Sequence, residues 1–445
     1  VVVLVAVAAG AGDAARGADA GVAVSAFVFG LLGAVLLLVQ PLRGLNAVAA
    51  EIKADTLDLL LLTRLTAWRV VCGKWLALLS QSAVLVVAAL PYLVLRYYLG
   101  GMNLLGELLA LGALTLVAAV VTAALVGISA CASLAARAII GLAYVAGMLW
   151  LIGAIVLLVI LWRGFGGGRG GLGMGPVGAA ELWQAAGMIA FTLVFLGWHF
   201  LRMGATWIAP LAENHATVKR LTGGCALGIL LVLPSGMDGV REICWGAVAV
   251  ALMIDALCER PGATDSVVRR FDRLGRFAPP ARLLLFPGWP SGVWFVFLVG
   301  GVTLGLSWTG VLGGYSGYGG SVRGSEIMAT LAVLGFSVLL MPALVRELWL
   351  GRVSDPFAGY LFAALGLHVL GCGAILILAA SGSEFALVGF SLFYPPAGVI
   401  GLEPTADPLG FVVLAVFVCV LHGLLLVKLG VDRMSALSVG ASAEP

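Results

Sequence analysis

Uncharged apolar runs recur from one end of this chain to the other, each roughly 20 residues long and able to cross a hydrocarbon layer about 30 Å thick as a helix. That recurrence constrains the fold more than any motif. Hydrophobic residues make up 62% of the 445 and charged residues only 11%, against about 25% charged in an ordinary soluble domain. A soluble globule has no interior for so much apolar surface. The mean hydropathy of +1.13 agrees, and the expected class is an all-α, polytopic helical membrane protein.

The runs are centred near residues 5, 31, 87, 119, 150, 191, 228, 250, 300, 336, 368 and 418, giving about 12 expected spans. Val1–Ala9 reads as the tail of a first span, with the apolar region of a signal peptide as the rival reading. The run from Gly223 to Pro234 is short enough to be a re-entrant or half helix instead of a full span. Charge placement supplies a direction. With the first span starting in the cytoplasm, inner segments hold 19 Lys and Arg and outer segments 6, the asymmetry of the positive-inside rule. Both termini are then cytoplasmic, and a bacterial inner membrane is the expected location. A formal charge of +3, carried by scattered basic residues, gives no nucleic-acid surface.

Between the second and third runs lies "AEIKADTLDLLLLTRLTAWRVVCGKW", Ala50 to Trp75, with seven charged residues around a leucine core. Asp55 and Thr56 can cap a short helix starting at Leu57, with Asp58 adding negative charge to its first turn. Leu57, Leu60 and Leu61 share one face at helical spacing. Thr66 is a second N-cap candidate, opening a helix that runs through Lys74 into the next apolar run, with Pro91 expected to kink it near its outer end. A short interfacial helix, a break near Thr63 to Thr66, and a membrane helix are expected.

The ordered set Glu51, Lys53, Thr56, Leu57, Asp58, Leu60, Leu61, Thr63, Leu65, Thr66 and Gly73-Lys74 resembles the coupling segment of ABC-2 type exporter permeases. The usual form of that segment is E-x-x-x-G-T-L-E-x-L-L-x-T-P-L-S followed by a G-K pair. Here Asp55 stands at the usual Gly and Arg64 at the usual Pro. The resemblance implies a six-span permease domain over residues 1–221, with its coupling segment at 43–74. It further implies that Glu51, Thr56, Leu57, Asp58, Leu60, Leu61 and Thr63 contact a cytoplasmic ABC ATPase subunit, with Lys74 anchoring the following span. ATP and Mg would be bound by that partner. An amphipathic helix lying on membrane lipid, with no protein partner, is the alternative.

Residues 222–430 hold six further runs, and 431–445 form a short tail. Their longest inner segment, Cys258 to Pro290, falls between the second and third runs of this half, contains "SVVRRFDRLGRF" and ends near "PGWPSG". Positive-inside anchoring with interfacial Trp289 and Pro290 is the expected role, with a second ATPase contact as the alternative. The outer segment Ser381 to Pro408, broken at Pro395-Pro396, suits a re-entrant hairpin, whereas the matching interval of the first half is the glycine-rich "GFGGGRGGLGMGPVG". The chain is thus read either as two diverged six-span halves or as a six-span permease with an appended membrane domain. A homodimer or a second permease is a further expected partner.

Gly73-Lys74 lacks the earlier Gly of a phosphate-cradling loop, no LSGGQ-like stretch occurs, and Gly166, Gly168 and Gly171 lie in an expected outer loop without a preceding strand. Nucleotide hydrolysis is therefore assigned to the partner. The seven cysteines stand singly, with neither a disulfide framework nor a zinc module. His368 and Cys372 at i, i+4 and Cys419 and His422 at i, i+3 could meet as four metal ligands, against the reading of core cysteines and hydrogen-bonded membrane histidines. Asp255, with Glu259 and Arg260 one turn on, reads as an interfacial ion pair in preference to a proton relay. Gly301 and Gly305 form a G-x-x-x-G helix-packing pattern. The function these readings imply is an ATP-driven export permease, with a non-transporting assembly or regulatory subunit as the alternative and an intramembrane enzyme disfavoured.

Overall fold

A computed structural model describes residues 28–56, 65–99, 104–164, 179–210, 213–234, 239–262, 264–309, 311–312, 322–349, 355–380 and 408–441. Among these residues all regular structure is helical. In chain order the helices are α1 (Val28–Lys53), α2 (Ala67–Leu99), α3 (Leu104–Ile128), α4 (Leu134–Gly164), α5 (Ala179–Ile208), α6 (Ala216–Val232) and α7 (Val240–Leu257). They continue with α8 (Asp265–Asp272), α9 (Ala278–Leu285), α10 (Trp289–Trp308), α11 (Val322–Trp349), α12 (Pro356–Ala380) and α13 (Pro408–Ala441).

Among the described residues seven helices are long and apolar enough to cross a membrane: α1 to α5, α10 and α12. They carry the runs expected near 31, 87, 119, 150, 191, 300 and 368, so an integral membrane protein is compatible with the fold. The expected count of about twelve is not confirmed among the described residues. α6 has only 17 residues, and α7 carries Arg241, Glu242 and Asp255 within its 18. The runs near 336 and 418 lie on α11 and α13, which are not among the seven. The run near 5, the glycine-rich stretch of 165–178 and the Pro395-Pro396 segment lie outside the described residues.

Two compact units divide the chain: Val1–Ala179 with Leu193–Ala209, and Ala180–Thr192 with Pro210–Pro445. In the first unit, α1 is not uniform. It contains a π-helical stretch, Val35–Val39, and a turn over residues 45–48 that leaves the Val48 N–H without a partner inside the helix. Ser129 Oγ accepts that N–H at 3.1 Å, so the break is satisfied from α3. Val48, Val71, Ala123, Val126 and Ala205 are fully buried together, forming a core shared by α1, α2, α3 and the second half of α5. At Gly127 the backbones of α3 and α5 come so close that a Cβ would lie 2.1 Å from the Phe200 carbonyl oxygen. Only glycine permits that crossing.

In the second unit, α10 packs against α7, α11 and α13, while α11 takes α12 and α13. Gly292 does for α10 and α7 what Gly127 does in the first unit, since its Cβ would stand 2.1 Å from the Ala256 carbonyl oxygen. The Gly301 and Gly305 pair does no such work. Both glycines are free of neighbours within 4 Å, so the sequence pattern does not mark a contact here. The glycines that do allow close approach stand outside that motif.

Candidate functional site

The expected coupling segment is described at its two ends. Residues 57–64, and with them Leu57, Asp58, Leu60, Leu61 and Thr63, lie outside the described residues. Glu51 and Thr56 at one end and Lys74 at the other can be followed in detail.

α1 ends at Lys53 in a reversal of the chain. The Thr56 N–H reaches back to the Glu51 carbonyl at 3.1 Å and the Asp55 N–H to the Ile52 carbonyl at 3.3 Å, while Asp55 itself has φ of +53°. This is a Schellman ending, in which the residue after the cap turns left-handed so that orphan helix carbonyls find donors. Asp is one of the few non-glycine residues that enter this region readily. Asp55 and Thr56, expected to open the next helix, are therefore seen closing the previous one. The Thr56 hydroxyl also donates to Glu51 Oε2 at 2.5 Å.

From the other side, α2 starts where expected: Thr66 Oγ1 accepts the Arg69 N–H at 3.4 Å, three residues on, as an N-cap does. Two turns further, the Lys74 ammonium is hydrogen-bonded and ion-paired to Glu51 Oε1. Lys74, expected as an interfacial anchor, is thus the partner of Glu51. The two form a clasp joining the end of α1 to the start of α2, across the base of the segment between them. Below it the wall is aromatic and rigid. Trp75 Nε1 donates to the Ala119 carbonyl at 3.0 Å, and the Arg202 guanidinium stacks 4.2 Å from the Trp68 ring.

The second unit holds a polar centre that sequence reading reached only in part. Asp255 is ion-paired as expected, but its partner is Lys219, at 2.7 Å, and not Arg260. Lys219 is fully buried and also lies 3.3 Å from Glu259 Oε1. Arg220 Nη2 pairs with Glu259 Oε2 at 2.5 Å, and its guanidinium donates to the carbonyls of Leu284, Phe286 and Gly288 and to Ser291 Oγ. Glu259 further accepts the Gly288 N–H through Oε2, and its carbonyl takes the Trp289 N–H at 3.2 Å. Two cations and two anions are thereby closed off from water at the ends of α6, α7 and α10.

Neighbouring arginines complete the end-capping. Arg346 is buried, donates to the Leu257 carbonyl at the end of α7 and pairs with Glu347 at 2.7 Å, above the Trp289 ring. Both arginines place positive charge at helix C-termini, where the macrodipole favours it. Trp289 is 2% exposed, so it is a core residue and not the interfacial anchor expected for it. The available signal was adjacency: a Lys-Arg pair opening α6 opposite Asp255 and Glu259, one helical turn apart at the end of α7.

The four proposed metal ligands are not brought together. Among the described residues no group of three or more His, Cys, Asp or Glu side chains is placed to hold a metal. α12, with His368 and Cys372, and α13, with Cys419 and His422, each pack on α11. Cys372 is exposed, whereas Cys419 is buried. Comparison of the chain with family models, with curated proteins and with solved structures finds no match.

Proposed function

We propose that this chain is the membrane-spanning permease subunit of an ATP-driven exporter of the ABC-2 kind, receiving its work from a separate cytoplasmic ATPase docked on Thr56 to Thr63. The observation that supports this best is the backbone of Asp55. In the motif the sequence resembles, that position is glycine, and here Asp55 takes the left-handed conformation glycine favours, with φ of +53°. Aspartate thus holds here a backbone conformation that a glycine at this position would adopt freely. Thr56 and Lys74, two residues of the same motif, each donate to the carboxylate of a third, Glu51.

A mechanism follows from that arrangement. The clasp fixes both ends of the segment, so a push on its leucine face is delivered to α1 and α2 together instead of being lost in a loose loop. α2 is long, running unbroken through Pro91 to Leu99, and carries the displacement into the apolar layer. ATP and Mg act in the partner. About 12 spans in two six-span halves, cytoplasmic termini and a bacterial inner membrane complete the proposal.

Mild-detergent purification of the full-length tagged chain, with mass spectrometry and an ATP-hydrolysis assay on the eluate, tests it. The expected result is a co-purifying ATPase subunit that is lost in Leu60→Asp while the chain stays folded. An eluate without ATPase, or normal hydrolysis and binding in Leu60→Asp, contradicts it. Binding without substrate-stimulated hydrolysis selects the assembly or regulatory subunit instead.

A further inference from the structure

Beside the buried ion cluster, and within the second unit, is a cavity of about 700 Å³ between α9, the first turns of α10 and α13. That volume suits a small ligand, for which pockets run about 300–1,000 Å³. Its walls are apolar: Pro279 and Leu283 from α9, Pro290 and Trp294 from α10, Val427 and Val431 from α13. Two polar side chains line it. Ser291 is already engaged with Arg220 and with the Phe286 and Gly288 carbonyls. Among the described residues Arg282 is bound to Asp272, in an ion pair whose side chains are 41% and 55% exposed. Such a pair contributes about 0–1 kcal/mol and can yield to a stronger anion.

Position and charge narrow the occupant. α10 is long and apolar enough to cross a membrane, and the cavity lies along its first two turns, next to the charged connection that precedes it. The rim residues Leu283, Trp294 and Val431 are exposed, which opens the cavity to the side. Asp265 to Arg282 holds five arginines against two aspartates, a net charge of +3. An apolar slot beside a membrane helix, with an arginine at its mouth and a basic surround, has the chemistry of a lipid tail and an anionic headgroup.

We propose that this cavity binds an anionic phospholipid of the adjacent leaflet, one acyl chain between Leu283, Trp294 and Val431 and the phosphate on Arg282. The site rests on the membrane-spanning reading and not on the coupling to an ATPase. Asp272 is the intramolecular competitor: it occupies Arg282 when the lipid is absent and releases it when a phosphate arrives.

Native mass spectrometry of the full chain, titrated with phosphatidylglycerol or phosphatidylcholine of matched chains, tests this. Both lipids carry the phosphate, but the choline cation cancels its charge in phosphatidylcholine, so attraction of the net anionic headgroup to Arg282 predicts about five-fold greater retention of phosphatidylglycerol. Arg282→Gln should reduce that preference to parity, and Asp272→Asn should increase it. Val431→Trp, from an exposed position, fills the slot and should remove the selective adduct at an unchanged melting temperature. Leu283→Trp fills the same slot from α9 and gives the answer if the first variant melts early. Equal retention of the two lipids in the wild type overturns the proposal, and so does a selective adduct that survives both tryptophan variants. ATPase co-purification is scored independently, so a failed lipid site and a failed coupling reading leave different results.

Discussion

Glu51 and Glu259 stand at the same kind of place, the end of one helix and the base of the connection leading to another, yet they hold those connections differently. Glu51 is partly exposed and is joined by one ammonium and one hydroxyl. Glu259 is buried and is joined by a guanidinium, an ammonium and two backbone N–H groups, one of them taken by its carbonyl. An exposed pair of the first kind contributes about 0–1 kcal/mol, so it sets a geometry without locking it. Removing one member of a buried cluster strands a charge away from water and costs about 3–5 kcal/mol. The lesson is that one connection is held by a weak, partly exposed pair that can yield, and the other by a buried cluster that cannot be opened cheaply.

The largest effect should come from breaking the buried side. Asp255→Ala or Glu259→Ala should lower unfolding stability in detergent by about 3–5 kcal/mol, the first by leaving Lys219 only the longer contact to Glu259 and the second by leaving Arg220 without a carboxylate. The double variant Lys219→Met/Asp255→Leu, which removes charge from both sides, should recover most of that loss. If the single variants melt like wild type, the cluster is not desolvated as described.

A backbone control sharpens the same contrast, because it asks whether the first unit is simply insensitive. Gly127→Ala puts a methyl against the Phe200 carbonyl and should cost about 1–3 kcal/mol, whereas Gly301→Ala meets open space and should be neutral or stabilising by about 0.5–1 kcal/mol. Equal melting temperatures for the two would remove the close crossing from the account. Smaller still, Glu51→Gln should change stability by less than about 1 kcal/mol while reducing coupled hydrolysis. The smallest change is at Asp55, where Asp55→Gly should be neutral or slightly stabilising and Asp55→Val should destabilise, since a β-branched residue resists positive φ. Thermal unfolding of the pair decides it.

Much of this was legible in the sequence, for reasons that differ by residue. Runs of apolar residues named the helices because length and hydropathy are local properties, and Thr66 was readable because an N-cap acts on a residue three positions away. The ending at Asp55 was not readable, because a left-handed turn is normally announced by glycine and here is carried by a residue equally suited to starting a helix. Lys219 was counted only as a positive charge on the inner side. Its burial depends on two carboxylates, Asp255 and Glu259, about 40 positions later, which no local pattern reports. Trp289 misled for the opposite reason: tryptophan beside proline at the start of a span fits an interfacial belt, but Arg346 and Gly430 close over it. Gly301 and Gly305 show that spacing alone does not choose the packed face.

The most direct measurement is ATP hydrolysis by the reconstituted complex of this chain and the ATPase proposed to co-purify with it, in four forms: wild type, Glu51→Lys, Lys74→Glu, and the two together. The account predicts that each single variant retains the ATPase but loses transport-coupled hydrolysis, and that the exchanged pair regains most of it. Normal coupling in the single variants, or a double variant no better than either, would contradict the clasp as the element that transmits the work.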